Sequence, residues 1–261
     1  MFSNLFKNKK PLIGVIHLPA LPGYKDHVNM EYVINKGLKD LHTLEQAGFD
    51  GVLVENDGDH RPYLEFNKQI TESFTTVIQI LKKENNIPLG MEILYDLAGT
   101  VKTAYANDID FVRLDTFVDD VMTNYGELKA PNNIIQRIIS EHNTVIPILA
   151  DIHVKHTTMI DKNKTITQSA LEAMDAQAAA IIITGTWTGK EPDLTDCIEA
   201  KSTTHEFPVL IGSGLTRDNA EKLLTLVDGA IVGTSIKTGV YIDGTKAKEL
   251  VDMVQKIRAG L

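Results

Sequence analysis

A single cysteine, Cys197, stands in the whole sequence. The chain can therefore close no internal disulfide and build no metal site from clustered thiolates, and this usage suits a reducing, cytoplasmic setting. Long apolar runs are also missing. None approaches the ~20 residues needed to span a bilayer, so stable membrane insertion is not expected. The opening Met1-Phe-Ser-Asn-Leu-Phe-Lys-Asn-Lys-Lys10 has too short an apolar part for a signal peptide and lacks a small-residue cleavage pattern. Phe2, Leu5 and Phe6 read instead as a plug for the bottom of the fold. Basic charge is in short supply, with 26 Lys and Arg against 35 Asp and Glu and a formal net charge of -9. That balance argues against nucleic acid, whose phosphate backbone calls for a basic face. A small phosphorylated ligand remains open to it, because backbone N–H groups can hold one locally. Finally, no Gly-x-Gly-x-x-Gly follows the first apolar run, which continues His17-Leu-Pro-Ala-Leu-Pro-Gly23. This removes the dinucleotide-binding doubly wound reading.

Eight short apolar runs are present, each followed by a helical pattern. They are Leu12–His17, Gly51–Asn56, Leu89–Leu94, Phe111–Asp115, Pro147–Ile152, Ala180–Thr184, Val209–Gly212 and Ala230–Gly233. Their near-continuous apolar character fits parallel strands covered on both faces. Between them, Val33, Ile34, Leu38, Leu41 and Leu44 follow helical spacing, as do Leu250, Val254 and Ile257. Thr216 is placed as the N-cap of a helix carrying Ala220, Leu223, Leu224 and Val227. Four loose echoes precede alternate strands: Gly48-Phe-Asp-Gly51, Asp108-Ile-Asp-Phe111, Gln177-Ala-Ala-Ala180 and Val227-Asp-Gly-Ala230. They read as tight helix-to-strand turns in a repeated βαβα unit. With no linker or low-complexity tract in 261 residues, the expected fold is α/β, a single (β/α)8 TIM barrel over residues 1–261.

In that fold chemistry sits where strands end and βα loops begin. The strongest signal is the pair Val209-Leu-Ile-Gly-Ser-Gly-Leu-Thr216 and Gly229-Ala-Ile-Val-Gly-Thr-Ser-Ile-Lys237. Both are strands opening into small residues, which let an oxyanion approach the backbone amides. Gly212, Ser213, Gly214, Gly233, Thr234 and Ser235 are thus assigned to a phosphate cup. Strand five supplies Asp151, His153 and Lys155, which alternation would aim into one pocket, and Asp115 and Glu92 join them as candidate catalytic groups. His17, Glu55, Asn56, Arg113 and Trp187 complete the pocket. Glu92, Asp115 and Asp151 are the oxygen ligands a divalent metal would use, though no spaced metal motif is present; no other cofactor is expected. Thr184-Gly-Thr-Trp-Thr-Gly-Lys-Glu191 imitates a P-loop but lacks its first glycine and final Ser/Thr. It reads better as a mobile loop, with Trp187 covering a ligand.

Taken together, these segments resemble the BtpA/SgcQ family, named for a photosystem I biogenesis factor. Ile13-Gly-Val-Ile-His-Leu-Pro-Ala-Leu-Pro-Gly23, Gly51-Val-Leu-Val-Glu-Asn-Asp57 and Ala150-Asp-Ile-His-Val-Lys-His156 carry the likeness, with the two glycine segments. The resemblance implies a TIM barrel similar to the ribulose-phosphate-binding barrels, and it brings no defined reaction. Glu92-Ile-Leu-Tyr-Asp96 and Asp115 depart from the family pattern and make this pocket more acidic. The expected function is an enzyme acting on a small sugar phosphate by isomerase, epimerase or lyase chemistry. Two alternatives are a metal-assisted nucleoside or phosphate hydrolase and a non-catalytic assembly factor. Assembly with copies of the same chain is expected in each case.

Overall fold

The computed structural model describes residues 1–59, 67–185 and 187–260. Eight parallel strands close into a barrel. They are β1 (Leu12–His17), β2 (Gly51–Glu55), β3 (Leu89–Glu92), β4 (Phe111–Leu114), β5 (Ile148–Ile152), β6 (Ala180–Ile183), β7 (Val209–Ile211) and β8 (Gly229–Val232). β8 returns to β1 with Leu12 opposite Ala230, which leaves no open edge. The outer helices follow in turn: α1 (Met30–Ala47), α2 (Lys68–Glu84), α3 (Leu97–Ala106), α4 (Asn132–Ser140), α5 (Ile166–Asp175), α6 (Leu194–Thr204), α7 (Ala220–Leu224) and α8 (Gly244–Ala259). Their starts follow local chemistry. Asn29 and Asn67 accept the Tyr32 and Ile70 amides, and Thr165 forms a reciprocal capping box with Gln168. α7 begins later than the sequence suggests. Asn219 is its N-cap, and Thr216 exchanges two hydrogen bonds with Asn219 in the turn before it.

Inward-facing residues fill the barrel as a separate core. Val15, Leu53, Phe111, Leu149, Ile182, Leu210 and Ile231 pack along the axis, and Phe2 and Phe6 close the bottom. The Phe6 ring meets Phe111 edge-on at 5.9 Å. Phe111 fits because β3 offers Gly90, where a Cβ would lie 2.1 Å from the ring. The N-terminal aromatics are therefore a plug, as their pattern implies. Among the described residues no helix is long and apolar enough to cross a membrane.

The sequence echoes have a physical counterpart at the bottom of the barrel. Asp50, Asp110 and Asp228 each donate a backbone N–H to the carbonyl that opens the preceding strand, at Leu12, Leu89 and Val209. Each carboxylate then accepts the amide of that same residue, at 2.8, 2.8 and 2.9 Å. The chain turns into the first three echoes through left-handed Gly48, Asp108 and Gln177. At the third, Ala179 keeps the backbone bond to Ile148 but offers no carboxylate.

Candidate active site

Side chains on one face of a strand recur every second residue. One step above the apolar layer, the inward positions are therefore His17, Glu55, Glu92, Arg113, Asp151, Thr184, Gly212 and Gly233. A buried guanidinium organises the acidic half of this ring. Arg113 Nε and Nη2 reach Asp151 at 2.8 and 2.9 Å, and Nη1 reaches Glu55 Oε1 at 2.9 Å. Glu92 Oε2 lies 3.7 Å from Nε, and its other oxygen accepts the Asp115 amide at 3.1 Å. Asp151 is 0% exposed.

A single guanidinium among so many carboxylates divides their proton affinities. Burial opposes ionisation of Glu55, but Arg113 and His17 outweigh it and hold this carboxyl well below the usual range. Burial pushes Glu92 well above that range; Arg113 opposes the shift, and Asp115, Glu55 and Asp151 reinforce it. Burial and the Asp151 charge raise Asp115 to about 7. Burial and Arg113 lower the Lys155 ammonium, and its Nζ has no hydrogen-bond or ion-pair partner among the described residues.

Above this ring lies a cavity of about 170 Å³. His17, Glu55, Arg113 and Lys155 line one side, and Gly212–Thr216, Gly233–Ser235, Thr188 and Gly189 line the other. No acceptor among the described residues takes the backbone N–H of Gly214, Thr234 or Ser235. All three residues line the cavity, and unclaimed backbone amides are the groups that hold an oxyanion where one binds. The hydroxyls assigned to help them are occupied. Ser213 Oγ accepts from Gly185 N and donates to the Lys190 carbonyl, while Ser235 Oγ donates to the Leu215 carbonyl. Gly214 has a reason besides ligand approach. At φ +75° a Cβ there would lie 2.2 Å from the Glu191 nitrogen, so the residue accommodates the neighbouring loop.

Other assigned residues take different places. His153 does not reach the axis, because strand geometry ends at Ile152 and His153 adopts φ 47°. Its amide is held by Asp119, and its ring lines a neighbouring cavity, where Nε2 is buried without a partner. Trp187 borders that second cavity too, 60% exposed and clear of the cup. In its loop, residue 186 lies outside the described residues. Asn56 ties loops together, donating to Asp59 and accepting the Leu94 amide. Glu92, Asp115 and Asp151 lie beneath the cavity instead of lining it. Among the described residues no group of three or more His, Cys, Asp or Glu is arranged to hold a metal ion; Arg113 sits where the carboxylates converge.

Lys237 was not among the residues singled out from the sequence. Its Nζ contacts His17 Nδ1, whose Nε2 lies 3.5 Å from Glu55. Burial and the Lys36 charge bring Lys237 down to about 8. With Lys237 donating to Nδ1, the ring proton of His17 sits on Nε2 and faces Glu55. Lys36 in turn pairs with Asp40 at 2.6 Å and donates to the His17 carbonyl. The signal was available, since Lys237 follows the second glycine segment directly, but a long side chain that folds back leaves no periodic mark.

A family model described as the BtpA family matches residues 8–256. An uncharacterised protein of Pyrococcus horikoshii is 33% identical over 97% of this chain and 99% of its own. The photosystem I biogenesis protein BtpA of Synechocystis is 28% identical over 89% of this chain and 82% of its own. Among solved structures, (S)-3-O-geranylgeranylglyceryl phosphate synthase of Thermoplasma acidophilum, in complex with its substrate sn-glycerol-1-phosphate, superposes with a TM-score of 0.62. It covers 98% of this chain and 97% of its own at 14% identity, a likeness of fold alone.

Proposed function

This chain belongs to the BtpA family, and we propose that it is an enzyme acting on a small carbonyl-bearing sugar phosphate, with the phosphate held between the loops after β7 and β8. One observation carries this reading. The free amides of Gly214, Thr234 and Ser235 border the same cavity as the unpartnered Lys155. Phosphate sites recur at this place in the fold, and the solved neighbour named above binds sn-glycerol-1-phosphate.

Anchoring the non-reacting phosphate positions the carbonyl end over Lys155. Burial and Arg113 lower the Lys155 pKa, which favours the free amine that proton abstraction needs. The amine takes a proton from the carbon beside the carbonyl and returns it to the former carbonyl carbon, while the hydroxyl proton of the first carbon moves to the former carbonyl oxygen, which gives isomerisation. The enolate charge that develops between these steps is met by Arg113 and His17, which line the same cavity. Glu55 holds both donors in place. The name of the Synechocystis relative raises a scaffolding role, but a scaffold has no use for unclaimed amides around an unpaired lysine.

Titration calorimetry with a panel of aldose and ketose phosphates tests the reading, alongside their dephosphorylated sugars. Thr234 is exposed, so Thr234→Asp adds a negative charge at the cup with little structural cost. It is expected to weaken phosphorylated ligands at least tenfold and leave the weak binding of free sugars unchanged. Lys155→Met should retain phosphate binding while losing turnover. A ligand phosphate found elsewhere on the barrel, with Thr234→Asp silent, overturns the assignment.

A further inference from the structure

Beside the phosphate cup lies a second cavity, of about 490 Å³. Lys155 lines both cavities, and a single loop forms the partition, with Trp187 facing the second and Thr188 and Gly189 facing the cup. The reading of the cup leaves this larger space unused. Its walls are of a different kind. The Trp187 ring stands edge-on to His156 at 4.9 Å and 70°, and Met122, 44% exposed, lines the same cavity. Flat π surfaces and a polarisable thioether suit a planar ring better than a flexible polyol.

The polar groups here match a nitrogen-bearing ring. His153 Nε2 is buried with no hydrogen-bond partner. Asp196 lines the same cavity, and its carboxyl is raised by burial and by Asp193, with His153 acting against the shift. Asp196 offers an acceptor to a heterocycle carrying ring or amino N–H groups. His156 Nε2 meets Thr188 Oγ1 at 2.8 Å across the partition.

We propose that the substrate is bipartite: its phosphate occupies the glycine cup, its planar nitrogen-bearing ring lies against Trp187 and His156, and the carbons between them pass over Lys155. The proposal rests on the phosphate reading and narrows it from sugar phosphates in general to phosphorylated glycosides or glycosylamines of a heteroaromatic ring. The two cavities joined fall in the range typical of small-ligand clefts, roughly 300–1,000 Å³.

Four probes separate the parts: ribose 5-phosphate has the phosphate alone, adenosine the ring alone, and adenosine and cytidine 5′-monophosphates have both. Trp187 is the only tryptophan, so its fluorescence reports the ring site, and calorimetry supplies affinities for variants that lack it. At least one nucleotide is expected to bind tenfold or more tighter than ribose 5-phosphate, in line with the usual worth of base–aromatic stacking, and to change Trp187 emission. Trp187→Leu should bring that nucleotide to the level of ribose 5-phosphate while ribose 5-phosphate itself is unaffected. Thr234→Asp should weaken ribose 5-phosphate and the nucleotide alike and spare adenosine. If both nucleotides bind no better than ribose 5-phosphate, or if Trp187→Leu leaves the nucleotide's advantage intact, the ring site is wrong and the phosphate cup stands. If adenosine binds as tightly as its monophosphate and Thr234→Asp changes nothing, the cup itself is wrong and the bipartite substrate falls with it.

Discussion

Replacing Asp151 by Asn keeps the shape of the side chain and removes one charge from the centre of the barrel. The carboxylate meets Arg113 through two hydrogen bonds, at 2.8 and 2.9 Å, with no access to water. An amide can accept one of these bonds, but its NH2 group opposes the other donor. Breaking a buried ion pair on one side costs about 3–5 kcal/mol. The lower end is expected, because Glu92 lies 3.7 Å from Arg113 Nε and can release its proton to supply the missing charge. A loss of about 3 kcal/mol corresponds to a fall in melting midpoint of roughly 6–12 °C for a chain of this size. The pH dependence identifies the cause. In the parent protein the folded pKa of Glu92 is raised above its unfolded value, so its contribution is fully present below about pH 4.3 and is lost as pH rises toward the folded pKa. In the variant Glu92 ionises earlier and that loss is smaller. The gap between parent and variant should therefore narrow as pH rises from about 5 to 8. Urea unfolding at several pH values, with the slopes compared, measures it. A variant within 1 kcal/mol of the parent at every pH would refute the claim that Arg113 depends on Asp151.

Two further outcomes bear on the scaffold. Asp110→Ala should cost about 1–2 kcal/mol in urea unfolding by leaving the Leu89 amide without its carboxylate; an unchanged midpoint would reduce the bottom clips to ornament. Phe6→Ala should cost about 3 kcal/mol in the same assay by opening space beneath Phe111, and phosphate affinity at the far end of the barrel should not change; equal loss of both would show the two ends to be coupled.

The barrel is legible in the sequence because its strands are buried on both faces. β1 spans Leu12–His17, as its apolar run does. β3 stops at Glu92, two residues before its run ends, because backbone pairing ceases while apolar contacts continue. Ile93 remains in the core, the Leu94 amide goes to Asn56, and Tyr95 turns through φ 65°. Apolar character reports burial, whereas a strand is defined by hydrogen bonds, and the two part company at loop edges. The aspartate clips are visible as Gly48-Phe-Asp and Asp108-Ile-Asp, yet Ala179 at the equivalent place shows that the turn survives without the carboxylate.

The site is legible as far as alternation holds. The strand ends carry Glu55, Glu92, Arg113 and Asp151, which meet around the guanidinium, and alternation fails one residue beyond β5, where left-handed His153 turns the chain aside. What spacing alone leaves out is the sum of charges in that ring. Three carboxylates share one guanidinium, and burial pushes the Glu92 carboxyl well above its usual range while Asp115 is raised to about 7. This resolves an apparent conflict in a chain of net charge -9. A phosphate entering the cup does not meet four negative charges beneath it. Burial favours the neutral form of Glu92, Glu55 and Asp151 are spanned by Arg113, and Lys155 lines the cavity itself. The acidity of the sequence is thus spent inside the barrel on fixing Arg113, and the surface facing the cavity is left to the amides of Gly214, Thr234 and Ser235 and to the amine of Lys155.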